Sequence, residues 1–258
     1  MSDLLTDIDD KVCLITLNRV SKHNAFDDKL LNELQILLSD AIKNPHVRTI
    51  ILKANGKHFS AGADLEWMQR MSLYNEEENI ADAMVLAELM HTLYKSIKPT
   101  IAMVHGAAYG GGAGLAAACD IAIAADHARF CFSEVKLGLI PAVISPYVVK
   151  AIGERAAKDL FMTADIFDAK RAKELGLVQH CVLEDELHDF TLDYAHKIAH
   201  HAPAAVGEAK QLASTVADKE ITKELINYTA ELIARKRVSQ EGQDGLNAFI
   251  NKKTPNWK

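Results

Sequence analysis

The chain has 258 residues, 49% of them hydrophobic, with 29 Lys and Arg against 35 Asp and Glu and a net charge of -6. That length supports a substantial core at the upper end of single-domain size, and the acidic balance argues against nucleic acid or an anionic membrane as a partner. Four scattered cysteines, Cys13, Cys119, Cys131 and Cys181, make no Cys-x-x-Cys pair and no zinc spacing with His, so reduced thiols, mostly buried, and no metal are expected. The first ten residues carry four acids and no basic or apolar leader, and no window approaches the ~18 uninterrupted apolar residues of a membrane span. A cytoplasmic protein is the expectation.

In chain order, apolar runs at Val12–Leu17, Thr49–Ala54, 100–105 and 120–125 read as strands separated by helical periodicity, an α/β pattern with crossover connections. The first helix is capped by Asp27 or Asp28, carries Leu30, Leu31, Leu34, Leu37, Leu38, Ala41 and Ile42 on one face, and stops before Pro45. A second, over 78–95, turns Ala83, Leu86, Ala87, Met90 and Leu93 inward, and Pro99 introduces the next strand. From about Glu184 the pattern is almost entirely helical: Pro203 opens one helix and another lies within 219–238. This divides the chain into a core, residues 1–195, that holds the active site, and a C-terminal helical region, 196–258.

Three segments carry chemistry. His58-Phe59-Ser60-Ala61-Gly62-Ala63-Asp64-Leu65 follows a strand, precedes a helix, and exposes successive backbone N–H groups with little side-chain obstruction, which suits a developing oxyanion. It also reads as an ordinary strand-to-helix turn with Asp64 as N-cap. Gly106 to Gly114 repeats the arrangement, and within it Gly112-Ala113-Gly114-Leu115-Ala116-Ala117 matches a dinucleotide fingerprint, with Glu134 at the separation of a ribose-binding acid. Against that rival, the strand ends well before Gly112, and 120–125 supplies a new strand ahead of Glu134. In the third segment Glu134 sits among apolar residues, which raises a carboxyl pKa and fits it for proton transfer; the alternative is a surface glutamate paired with Lys136. His105, the His200-His201 pair and the basic run Arg235-Lys236-Arg237 read as structural or solvated residues.

Together and in this order, these segments resemble the enoyl-CoA hydratase/isomerase (crotonase) family, with further matches at Leu17-Asn18-Arg19, Asn24-Ala25-Phe26 and Asn247 to Lys252. The resemblance implies an α/β fold, a crotonase (ClpP-like) spiral of ββα units, with C-terminal helices that build trimers and hexamers as dimers of trimers. It implies an acyl-CoA thioester substrate, coenzyme A being part of the substrate and no separate cofactor being needed. By the same resemblance Ala63 and Gly111 N–H groups form an oxyanion hole and Glu134 moves protons. The Ala61 carbonyl and the backbone near Leu65, with Asp64 counted among the coenzyme contacts, resemble an adenine-recognition edge, Lys22 and His23 meet the phosphates and pantetheine, and Phe249 and Lys252 reach over from a neighbouring subunit.

The departures are equally informative. Gly114 stands where hydratases often carry a second glutamate, so solvent held near Gly114 is expected to cover for it. Glu66 stands where many relatives have Lys, and after Pro141 a glycine-rich turn is replaced by Ala142-Val143-Ile144-Ser145-Pro146, giving a bulkier acyl pocket. The stretch from Glu134 to Ala157 looks like bacterial 3-methylglutaconyl-CoA and γ-carboxygeranoyl-CoA hydratases, enzymes of leucine and terpene breakdown. A branched acyl group with a distal carboxylate is therefore the expected substrate, with Lys136 one candidate for its cation. The alternatives are an enoyl-CoA isomerase using one glutamate and a non-catalytic acyl-CoA binder.

Overall fold

A computed structural model describes residues 2–257. Its first hairpin joins β1 (Leu4–Asp9) to β2 (Val12–Leu17) through Asp10 and Lys11, both at positive φ, which suits the twist of a tight antiparallel pair. β1 is not legible in the sequence because only Leu4 is buried; its acids and exposed Leu5 and Ile8 mark an edge strand. In α1 (Asp28–Lys43) the Asp27 carboxylate accepts the Leu30 N–H at 2.9 Å, and of the predicted face Leu30, Leu31, Leu34, Leu38 and Ala41 are buried while Leu37 and Ile42 are half-buried at its margins.

β3 (Thr49–Ala54) leads through α2 (Leu65–Met71) and α3 (Glu76–Lys95) to β4 (Thr100–Val104). α3 starts two residues earlier than its periodicity suggests because Asn75 and Glu78 form a reciprocal capping box. Its inward face also differs: full burial begins only at Leu89 and continues with Met90 and Leu93, whereas Ala83, in the outer half, is exposed. Then come β5 (Ala107–Tyr109), α4 (Gly111–Ala118), β6 (Ile121–Ala125), β7 (Arg129–Cys131) and α5 (Ser145–Thr163), which is bent at Gly153. β8 (Phe167–Asp168), α6 (Ala169–Leu175), β9 (His180–Val182), α7 (Leu187–Ala199), α8 (Pro203–Val216), α9 (Lys223–Val238) and α10 (Gln240–Ile250) follow.

Six strands form one sheet in the order β1-β2-β3-β4-β6-β9, antiparallel at the first pair and parallel beyond it. The inner strands are apolar on both faces, as parallel strands covered on both sides must be. A period of two divides them: Ile50, Leu52, Ala102 and Val104 face the main core, while Ile51, Ile101, Met103 and Ile123 pack on Leu187, Ala195 and Ala199 of α7. The second sheet, β5-β7-β8, has strands of three, three and two residues and escapes any reading by periodicity. β5 also removes one objection to the dinucleotide fingerprint, the missing strand before Gly112. That fingerprint fails for another reason, since β5 lies in the small sheet and Glu134 folds back against Gly110.

α8, α9 and α10 bury only Gly207 and leave Ile226, Ile233, Val238, Phe249 and Ile250 exposed. Among the described residues, no helix is long and apolar enough to cross a membrane. The cysteines are free thiols, Cys13 and Cys131 buried and the other two half-buried.

One close approach holds the two sheets in relation. Gly106 sits at φ 57°, where an added Cβ would lie 2.0 Å from the Lys57 carbonyl oxygen. Gly106→Ala is expected to cost about 2–5 kcal/mol, left-handed strain plus overpacking, seen as a lower urea midpoint at unchanged m-value. A wild-type midpoint would contradict the approach.

Candidate active site

The small sheet brings two distant segments together. β5 and β7 run parallel with Tyr109 beside Cys131, and the Gly110 N–H donates to the Cys131 carbonyl at 2.8 Å. Both strands end on the same side, so the glycine turn and Glu134 emerge as neighbours, at the carboxyl ends where open α/β folds place their sites. An added Cβ at Gly110, whose φ is 50°, would lie 3.3 Å from Glu134 Oε1. Only glycine suits that position.

The segment around Ser60 lies along β5. Phe59 N–H donates to the His105 carbonyl at 2.9 Å, Ser60 N–H to the Ala107 carbonyl at 3.0 Å, and Tyr109 N–H to the Ser60 carbonyl at 3.0 Å. Ser60 pairs in parallel with Ala108, and an added Cβ at Gly62 would lie 3.0 Å from the Tyr109 carbonyl oxygen, so the two turns leave β5 side by side. On the other side the Gly62 carbonyl accepts the Phe26 N–H and the Phe26 carbonyl accepts the Asp64 N–H, each at 2.9 Å. A trans peptide opposes its C=O and N–H, so the Ala63 N–H points away from Phe26, to the side where β5 runs. The same holds at the glycine turn: the Gly110 carbonyl accepts the Gly114 N–H at 3.1 Å, so the Gly111 N–H points out of the N-terminal end of α4. Neither amide has a hydrogen-bond acceptor among the described residues.

Glu134 opens a 3-10 turn, Glu134–Leu137, just beyond β7. Its Oε2 is buried without a hydrogen-bond partner, and burial pushes its pKa up. The surface-glutamate alternative is thereby corrected: Lys136 is exposed and, among the described residues, no cation pairs with Glu134. The solvent expected beside Gly114 is corrected as well. A Cβ at Gly114 would lie 2.2 Å from Ile144 Cγ2 and 3.0 Å from Met90 Cε, so apolar side chains fill that space. Pro141, three residues earlier on the same loop, is buried.

At the other end of the turn, Lys22 Nζ lies 2.8 Å from Asp64 and 3.2 Å from Glu66, and Arg19 lies 3.3 Å from Asp64. Asp64 is only 3% exposed; burial alone would raise its pKa, but the Lys22 ammonium, the Glu66 and Trp67 N–H groups and Arg19 together hold it below the usual range. The Asp64 hydrogen bond, above all, pushes the Lys22 pKa up. The Asp64 side chain therefore caps α2 and anchors cations, which leaves its backbone as the part that could contribute to an adenine edge. Its neighbours are available: the Ala61 carbonyl receives no hydrogen bond among the described residues, and Leu65 is 75% exposed. His23, at φ 52°, places its ring 5.2 Å from that of His58, whose Nδ1 accepts the Ala107 N–H at 3.1 Å. Phe249 and Lys252 stand on and just past α10, which packs on α9, and both are exposed.

Two residues within the matched segments support the site through hydrogen bonds that the sequence does not announce. Buried Asn24 donates from Nδ2 to the carbonyls of Asn55 and His58, both at 2.8 Å, and its own carbonyl accepts from Ser60 Oγ at 2.8 Å. Ser60 Oγ in turn accepts the Gly62 N–H at 3.1 Å, locking the turn. Tertiary folding supplies these partners, so no local spacing announces them. Ile144 did leave a signal, in the bulky residues that replace a glycine-rich turn.

The family model for enoyl-CoA hydratase/isomerase matches residues 7–258. A crystal structure from Legionella pneumophila, provisionally assigned as an enoyl-CoA hydratase/isomerase (crotonase), is 67% identical with a TM-score of 0.97 and covers 100% of both chains. An enoyl-CoA hydratase structure from Shewanella pealeana is 45% identical, with a TM-score of 0.95, covering 99% of this chain and 96% of the other. The 2,3-dehydroadipyl-CoA hydratase of Escherichia coli is 30% identical over 261 residues, 100% of this chain and 99% of that protein. With this fold, these neighbours and a match over almost its whole length, the chain belongs to the enoyl-CoA hydratase/isomerase family and has the crotonase fold.

Proposed function

We propose that the chain hydrates a 2-enoyl-CoA thioester, with the Ala63 and Gly111 N–H groups as oxyanion donors and Glu134 as the single proton carrier. The observation that carries this reading is a pair of unpartnered main-chain amides beside a buried, uncompensated carboxylate. Water attacks C3 while Glu134 takes its proton, and the C2=C3 electrons move onto the thioester oxygen as an enolate. Glu134 then returns the proton to C2 and the carbonyl re-forms. The amides hold charge that is larger in the transition state than in the substrate, and losing one such donor costs about 3 kcal/mol.

A distal carboxylate on the acyl group is supported by the Escherichia coli relative, named for dehydroadipyl-CoA, while its branching rests on the resemblance of the stretch 134–157. Lys22, His23, the Ala61 carbonyl and Leu65 are proposed to receive the coenzyme, with Pro141 at the acyl end. Exposed Ile226, Ile233 and Val238 support self-association of the helical region 196–258 as trimers, from which Phe249 and Lys252 would meet a neighbour's ligand. Isomerisation is the second reading, because Ile144 fills the place of a second acid and one carboxylate suffices to carry a proton between C2 and C4.

A panel of CoA thioesters headed by 3-methylglutaconyl-CoA and crotonyl-CoA separates these readings. Loss of conjugated enoyl absorbance indicates hydration; its appearance from a 3-enoyl-CoA, without oxygen from labelled water, indicates isomerisation. Binding without turnover of any ester would contradict both. Glu134→Gln is expected to lower kcat by about 10²–10⁴. In the wild type, kcat should fall as pH drops through a pKa above the ordinary carboxylate range, because the working form is the anion that burial disfavours.

The same burial has a thermodynamic signature. With its folded pKa above its unfolded one, Glu134 binds more proton in the folded state between the two values, so stability declines as pH rises through that window. Glu134→Gln should melt at a higher temperature than the wild type at neutral pH, the gain fading below the unfolded carboxylate pKa. Equal melting temperatures at pH 7 would contradict the uncompensated burial. At the proposed coenzyme edge, Glu66→Gln removes one of the two carboxylates on Lys22, leaving Asp64, and should lower KM by about two- to fivefold, the worth of one exposed ion pair; an unchanged KM would remove Lys22 from the phosphate site.

A further inference from the structure

The loop that carries Glu134 rests on α4 at two glycines one helical turn apart. At one end the Glu134 carboxyl lies 3.3 Å from where a Cβ of Gly110 would stand; at the other, Ile144 Cγ2 lies 2.2 Å from where a Cβ of Gly114 would stand. The Gly114 N–H donates to the Gly110 carbonyl at 3.1 Å, so both supports line one edge of the helix that begins with Gly111. At about 1.5 Å of rise per residue they are about 6 Å apart.

Between the supports the loop is otherwise held, among the described residues, only near Ile144, by buried Pro141 and by Val143 packed on the main core. Every residue from Val135 to Ile140 is exposed. Its backbone bonds are local, from Lys136 N–H to the Ser133 carbonyl, Gly138 N–H to the Val135 carbonyl, Leu139 N–H to the Glu134 carbonyl, Ala142 N–H to the Ile140 carbonyl and Ser145 N–H to the Pro141 carbonyl. Ile144, by contrast, is 2% exposed and shares the Gly114 contact with fully buried Met90. A methyl group at 114 would also meet Ile144 Cβ at 2.8 Å, so a change of side-chain rotamer cannot absorb it and the loop backbone must move.

We infer that Ile144 is a positioning residue: seated on Gly114, it sets the height of the loop over α4 and hence where the Glu134 carboxyl stands relative to the Ala63 and Gly111 amides. The inference rests on Glu134 being the proton carrier.

Steady-state kinetics across pH for Gly114→Ala, Ile144→Ala, Ile144→Val and the Gly114→Ala/Ile144→Ala double variant, with Glu134→Gln alongside, tests it. Moving a reacting group by about 1 Å costs up to about a hundredfold, so Gly114→Ala should lose about tenfold or more in kcat with KM changed by less than about twofold. The double variant should regain most of that loss, because the new methyl takes space that Ile144 vacates. Ile144→Val, which keeps the contacting atoms, should stay near wild type, while Ile144→Ala loses kcat and shifts the acid limb downward as water reaches the carboxyl. If Glu134→Gln is inactive yet Ile144→Ala keeps the wild-type kcat and acid limb, the positioning role is overturned and the base reading stands. A fully active Glu134→Gln would instead remove the base reading and the inference with it. Should Gly114→Ala fail to fold, Ile144→Ala, which only removes atoms, decides by the same criteria.

Discussion

Two carbonyl groups determine where the free amides point. The Gly62 carbonyl is held by the Phe26 N–H and the Gly110 carbonyl by the Gly114 N–H, and a planar trans peptide leaves the Ala63 and Gly111 N–H groups no choice but the opposite direction. No side chain is needed at either position. This is why small residues dominate both turns, and why the supports lie elsewhere, in Asn24 and Ser60 behind one turn and β7 behind the other.

Against these preorganised dipoles stands a carboxylate kept at a thermodynamic disadvantage. Glu134 has a buried oxygen with no partner and no cation in its reach among the described residues, the kind of local frustration that stable cores avoid and functional sites keep. The edge proposed to receive the coenzyme shows the opposite economy. There Asp64, nearly inaccessible, is surrounded by Lys22, Arg19 and two amide donors, and Glu66 draws on the same lysine. Charge is satisfied where a polar ligand would be held and withheld where protons would move.

Legibility of the sequence followed length of pattern. β2, β3 and α1 stand where their apolar runs predict, because each repeats its period several times and ends at Asp27, Pro45 or a polar turn. β5 and β7 are three residues each, too short for any period, yet they alone bring Gly110 beside Glu134. The glycine turns and the glutamate are visible as residue types; their convergence is legible only through the family resemblance, not through spacing or periodicity. Ala83 and the space before Gly114 show the same limit from the other side, since what covers a helix face is a tertiary fact, here the exposed outer half of α3 and the Ile144 side chain.

The central claim concerns one point in space, and a crystal structure with a bound, unreactive saturated acyl-CoA addresses it most directly. The account predicts the thioester oxygen about 2.7–3.1 Å from both the Ala63 and Gly111 nitrogens, with the Glu134 carboxyl over C2 and C3 of the acyl chain. A thioester oxygen bound away from those two nitrogens, or a Glu134 side chain turned from the acyl carbons, would contradict it.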